Sequence, residues 1–156
     1  MNGNTFRRIA TTAVVSAGIA GGVVAGAGSA AAAETQVVPM STCFGLSPYI
    51  VDQPYIASRA FFNQDGPGTG NLTLADVSSL WFFAPPYLSD TRLDWHNKTT
   101  GARGTLTATT PIGMGSAVNL RLNSGPGDVE ITRSAVNRNA LWSIPTTSCT
   151  GTVRVN

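Results

Sequence analysis

The chain has 156 residues, with ten lysines plus arginines against eight acidic residues. Arg7 and Arg8 stand ahead of an apolar leader, so residues 34–156 carry eight charges of each sign and are formally neutral. No basic cluster remains there, and Lys98 is the one lysine. This excludes the long-range attraction on which nucleic-acid binders and anionic-lipid binders depend.

The chain opens MNGNTFRR, continues IATTAVVSAGIAGGVVAGAG, and then reads SAAAAETQ. A charged start, an apolar run and small residues predict a secretory signal peptide over residues 1–33. Ala31 and Ala33 form its A-x-A site before Glu34. A retained anchor competes with this reading, since the run is about long enough to span a bilayer. Its Ala, Gly, Ser, Thr and Val partition weakly into lipid, which favours cleavage and a mature form without a membrane span. Arg7-Arg8 raises the twin-arginine route, but Phe6 stands where that motif prefers Ser or Thr. The expected location is secreted or in the cell envelope.

Residues 34–156 fit one domain, long enough to bury a core without metals. Cys43 and Cys149 stand near its two ends, and in an oxidising compartment such a pair reads as a disulfide. Lipidation of Cys43, in the context Met40-Ser41-Thr42-Cys43, is the alternative. Thr42 suits it poorly, and it would strand Cys149 as a lone thiol.

Helix periodicity is nearly absent, and short β-rich runs alternate with Gly, Pro, Asn and Asp. The pattern predicts strands over residues 35–43, 56–62, 77–83, 91–97, 103–109, 117–122, 129–132, 141–144 and 149–155. Apolar positions alternate with polar ones in Val118-Asn119-Leu120-Arg121-Leu122, Val129-Glu130-Ile131 and Val153-Arg154-Val155. Each implies one face on a core and one in water. The expected core holds Leu93, Trp95, Leu106, Val118, Leu120, Ile131, Leu141, Val153 and Val155. Gly66-Pro67-Gly68 and Gly125-Pro126-Gly127 suit type II turns. Asn97-Lys98-Thr99-Thr100-Gly101 suits a longer hairpin connection with a left-handed glycine. The fold class is an all-β antiparallel sandwich of seven to nine short strands.

Trp95-His96-Asn97-Lys98-Thr99-Thr100-Gly101, Gly104 with its Thr-rich strand, and Gly125-Pro126-Gly127-Asp128-Val129 resemble small exported actinobacterial proteins with immunoglobulin-like sandwiches. The Gly/Ala-rich leader fits the same group. The resemblance, over residues 90–155, implies a fold and a compartment and carries over no catalytic residue.

His96 is the one histidine. On a strand it shares a face with Asp94, opposite Leu93 and Trp95. A hydrolase would need a nucleophile and a cleft beside it, and no G-x-S-x-G elbow is present. One histidine and two paired cysteines do not make a usual zinc site. Asn63, Asp65 and Asp128 carry calcium-type oxygens beside glycine turns, where such residues are also ordinary turn formers. No phosphate loop or dinucleotide fingerprint appears, and no cofactor is expected. Asn71-Leu72-Thr73 and Asn97-Lys98-Thr99 match the glycosylation pattern, which carries little meaning behind a bacterial-type leader.

Leu80-Trp81-Phe82-Phe83-Ala84-Pro85-Pro86-Tyr87-Leu88 places large rings on both faces of one strand. Either the proline loop folds over them, or Trp81, Phe83 and Tyr87 form an exposed interaction surface. The favoured function is a non-enzymatic binding domain for a protein, lipid or glycan. A secreted inhibitor or effector, acting through a rigid loop at Gly66–Gly70 or Pro111–Gly115, is the alternative. A hydrolase using His96 ranks third.

Overall fold

The computed structural model describes residues 35–49, 55–75, 86–113 and 116–156. The expected signal peptide, the predicted strand over 77–83 and the side chains of Trp81 and Phe83 lie outside the described residues.

Among the described residues there are nine strands: β1 (Thr35–Gly45), β2 (Tyr55–Gly66), β3 (Thr69–Ala75), β4 (Tyr87–Asn97), β5 (Arg103–Ile112), β6 (Ala117–Asn123), β7 (Gly127–Arg138), β8 (Ser143–Pro145) and β9 (Cys149–Val155). All pairings are antiparallel, and the described residues contain no helix. The spatial order is β5-β4-β7-β9-β1-β2-β3-β6, with β8 on the same edge of β7 as β9. The antiparallel sandwich expected from the alternation is therefore present. Its connectivity is its own, because β2–β3 and β4–β5 are hairpins that stay within one layer. The constant-type immunoglobulin arrangement instead groups strands A, B, E and D in one sheet.

The layers β1-β2-β3-β6 and β5-β4-β7-β9 are joined through β1. Between the pairs Pro39–Arg59 and Cys43–Ala57 the ladder to β2 is interrupted, and Met40 pairs with Gly151 of β9 instead. Proline is tolerated at such an irregularity because no ladder N–H is required of it. Gly151 permits the crossing, since a Cβ there would lie 2.8 Å from the Pro39 carbonyl oxygen. The Cys43–Cys149 disulfide, with Cα atoms 4.9 Å apart, staples this junction across a separation of 106 residues.

Inward rows fill the interior. Leu72 and Leu74, Val118 and Leu122, Leu93, Val129 and Ile131, and Val153 and Val155 are all essentially inaccessible. Burying each such side chain is worth roughly 1.5–3 kcal/mol. Trp95 and Leu106 pack against this core while partly exposed. Two expectations are corrected. Leu141 is not core but 81% exposed, because it precedes β8 in a turn rather than lying on a strand. And β3 was not foreseen, because the glycines and Asn71 around it obscured the alternation of Leu72 and Leu74.

Gly68 and Gly101 take the left-handed conformation expected of them, at φ of 70° and 79°. The two Gly-Pro-Gly turns touch, for Ser124 and Gly125 both donate their N–H to the Gly68 carbonyl, at 3.2 and 3.1 Å. Buried Asn97 ties the β4–β5 hairpin to the same place. Its Nδ2 donates to the Ser124 and Pro126 carbonyls at 3.0 Å, and its Oδ1 accepts the Thr99 and Thr100 N–H groups.

Candidate functional site

His96 lies on the outer face of β4, between Arg103 of β5 and Glu130 of β7 in the ladder. It borders a shallow open depression of about 410 Å³ that Asp94, Thr105 and Thr132 also line. Asp94 shares this face but is committed elsewhere: it takes a forked guanidinium bond from Arg92 and the hydroxyl of Thr105. Those bonds hold its pKa below the usual carboxylate range. Desolvation, then the cations Arg103 and Lys98, lower the His96 pKa, while Glu130 opposes them. Glu130 is itself paired with Lys98 at 3.2 Å. Among the described residues no carboxylate hydrogen-bonds this imidazole to orient it, and the depression is open to solvent.

Every acidic side chain among the described residues has a cationic partner. Asp90 binds Arg138, Asp128 binds Arg154, and Asp65 binds Arg121. The oxygens considered for calcium are thus engaged: Asp65 also accepts Thr69 and Asn71, and Asn63 accepts the Thr35 hydroxyl. In the Gly66–Gly70 loop Pro67 is in solvent and Gly68 is hydrogen-bonded to the 124–125 backbone.

Tyr87, one of the three rings of the candidate interaction surface, is 2% exposed, which removes it from the exposed alternative. It occupies the inward row of β4 and packs edge-on against Tyr49, ring centroids 6.3 Å apart. Its place in the alternation decides this, because Tyr87, Ser89, Thr91 and Leu93 all face inward.

Val37 of β1 is exposed by itself, and most of the other exposed apolar side chains among the described residues lie along a seam between residues 44–48 and the β7–β8 hairpin. Phe44 and Thr147 exchange backbone and hydroxyl bonds, Thr147 N–H donating to the Phe44 carbonyl at 2.7 Å. Asn137 Nδ2 donates to the Leu46 carbonyl, and Asn139 Nδ2 to that of Pro48. The Trp142 indole N–H reaches the same Pro48 carbonyl at 2.7 Å. Asn139 Oδ1 accepts the N–H groups of Leu141 and Trp142, fixing the hairpin turn. Phe44, Leu46, Leu141 and Trp142 flank this seam with roughly half or more of each side chain in water, and Ile56 pairs with Phe44 across β2.

The interior at this end is mixed. The inward rows of β4 and β7 change there from Leu93, Val129 and Ile131 to Ser89, Thr91, Arg133 and Asn137, all fully buried, interleaved with Tyr87 and Ala135. Ser89 stands directly opposite Asn137. Sequence reasoning missed the seam because Leu141 and Ile144 read as a core strand. The signal against that reading was Asn139, a residue that caps turns by bonding the backbone two or three residues on.

No known family model matches the sequence, and no curated protein or solved structure shows significant similarity to it.

Proposed function

We propose that this protein is an exported, non-catalytic binding domain that engages a partner protein through the apolar seam at Leu141 and Trp142. The carrying observation is that Trp142 is about half exposed while its ring is pinned by the bond to Pro48. A rigid, partly exposed tryptophan offers large contact area at small entropic cost, the property of binding hot spots. Exposed neighbours Phe44, Leu46 and Leu141 extend that area. The leader and the buried disulfide support export to an oxidising compartment. Commitment of Asp94 to Arg92 and Thr105 supports a non-catalytic role, since it leaves His96 without an orienting carboxylate.

The test is capture of a partner from cell-envelope extract by the oxidised protein, followed by comparison of Trp142→Ala, Leu141→Ser and His96→Ala. Losing the seam anchor should cost on the order of 2 kcal/mol of affinity or more, and His96→Ala should leave binding intact. Loss of partner binding or of activity in His96→Ala alone would return the reading to the β4 outer face.

A further inference from the structure

We infer that a second copy of this chain pairs antiparallel along the open edge of β5, joining two sandwiches through one continuous sheet. β5 ends the strand order and, among the described residues, has a ladder only with β4. That ladder runs without a bulge from His96–Arg103 to Tyr87–Ile112. The opposite edge of β5 therefore presents a straight row of backbone donors and acceptors, the template on which another strand docks.

Edge strands are normally blunted by charge, proline, a bulge or a covering loop. At its C-terminal end β5 has such protection, with Pro111 in the strand and the Ser116 hydroxyl donating to the Pro111 carbonyl at 2.9 Å. From Gly104 to Thr110 the strand supplies none of its own: the sequence Gly-Thr-Leu-Thr-Ala-Thr-Thr holds no charge and no proline, and its ladder has no bulge. The opposite edge strand, β6, differs. It is shorter, carries Arg121 mid-strand paired to Asp65, and buries its inward residues Val118, Leu120 and Leu122. In β5 the inward Leu106 and Ala108 touch the core yet stay partly exposed.

Self-pairing suits this strand. A two-fold axis at Thr107 places Thr107 opposite Thr107, Thr105 opposite Thr109, and Leu106 opposite Ala108 of the second copy. Threonine pairs are favourable across antiparallel strands, and Leu106 with Ala108 would close each other's exposed apolar edge. At each end of the pairing Arg103 would face Pro111 of the second copy, so the centre, Gly104 to Thr110, brings no charge against charge. The contact is isologous, so it closes at two copies rather than growing a fibre.

Sedimentation velocity of the exported, disulfide-bonded protein over about 1–100 µM, a range spanning micromolar dissociation constants, tests this. Dimer should form, with hydrogen-exchange protection in 104–110 rising with concentration. Thr107→Lys sets two like charges face to face at the axis while altering only an exposed side chain. It should raise the dissociation constant at least tenfold with the melting temperature of the dilute protein unchanged. Trp142→Ser, at the seam, should leave the dimer intact, so the inference stands apart from the proposed partner site. A monomer throughout, a dimer indifferent to Thr107→Lys, or one abolished by Trp142→Ser overturns it.

Discussion

The indole N–H of Trp142 donates to the Pro48 carbonyl at 2.7 Å, across 94 residues of chain. That carbonyl also accepts Asn139 Nδ2 at 2.9 Å, so removing the indole bond does not orphan it. Trp142→Phe keeps an aromatic ring at the seam but deletes the bond. The expected stability loss is about 1 kcal/mol, the usual net value of one such bond. Binding should weaken more than this loss of area explains, because the ring is then free to turn. Urea unfolding and titration of the captured partner separate the two effects.

The disulfide spans a loop for which the chain-entropy account gives about 4 to 5 kcal/mol. Cys43 and Cys149 are each 1% exposed, so a thiolate reductant reaches them only when the β1–β9 junction opens. The native protein should resist mild reductant and lose the bond quickly near the unfolding transition. Cys43→Ser/Cys149→Ser should lower stability by a few kcal/mol. Alkylation followed by intact mass reports the first outcome, and denaturant melts the second.

Leu93 and Leu141 are the same residue type in opposite surroundings, one inaccessible and the other 81% exposed. Leu93→Ala should cost about 2–5 kcal/mol through lost burial and the cavity it leaves. Leu141→Ala should stay within about 0.5 kcal/mol, as exposed substitutions do. A large loss in Leu141→Ala would place that side chain in the core after all.

That contrast marks how far the sequence was legible. Where apolar and polar residues alternate cleanly, as in Val118–Leu122, Val129–Ile131 and Val153–Val155, faces and strands were readable, because period two has one solution on a sheet. The cysteine pair was readable from its evenness and compartment. Tyr87 was left open and Leu141 misassigned for one reason: hydrophobicity does not say which row of a strand a residue joins, nor whether it is on a strand. Arg133 was hidden further. An arginine in an alternating run reads as the wet face, yet here it takes the inward row opposite Leu93 and Cys149. The seam depends on side-chain bonds to residues about 90 positions away, and no local pattern encodes those.

Asn97 is inaccessible and holds three carbonyls and two N–H groups of two separate turns. Asn97→Ala leaves buried backbone groups without partners, at about 1–3 kcal/mol for each left unsatisfied. A loss of at least about 2 kcal/mol is expected, with the turns 97–101 and 124–126 losing amide protection together. Asn97→Asp should be no milder, since it replaces the donating amide by a charge in a buried position.

The outer face of β4 sets the acid response. Arg138, Thr109 and the Arg138 charge hold Asp90 below its ordinary pKa, and Arg92 with Thr105 does the same for Asp94. A carboxylate that is more acidic folded than unfolded adds stability above its unfolded pKa, about 3.9. That contribution is lost as the pH falls through the folded value. His96 is also lowered, by desolvation and by Arg103 and Lys98. The unfolded chain therefore binds its proton more tightly, and stability falls as the pH drops below about 6.5. Because all three groups are well exposed, solvent screens these effects and each is small. Melting temperature should be level above neutrality, decline slightly between about pH 7 and 5, and decline again below about pH 4. His96→Gln should remove the first decline and leave the second, whereas Asp90→Asn should shrink the second alone. A melting temperature that rises between pH 7 and 5 would mean that Glu130 outweighs the two cations at His96.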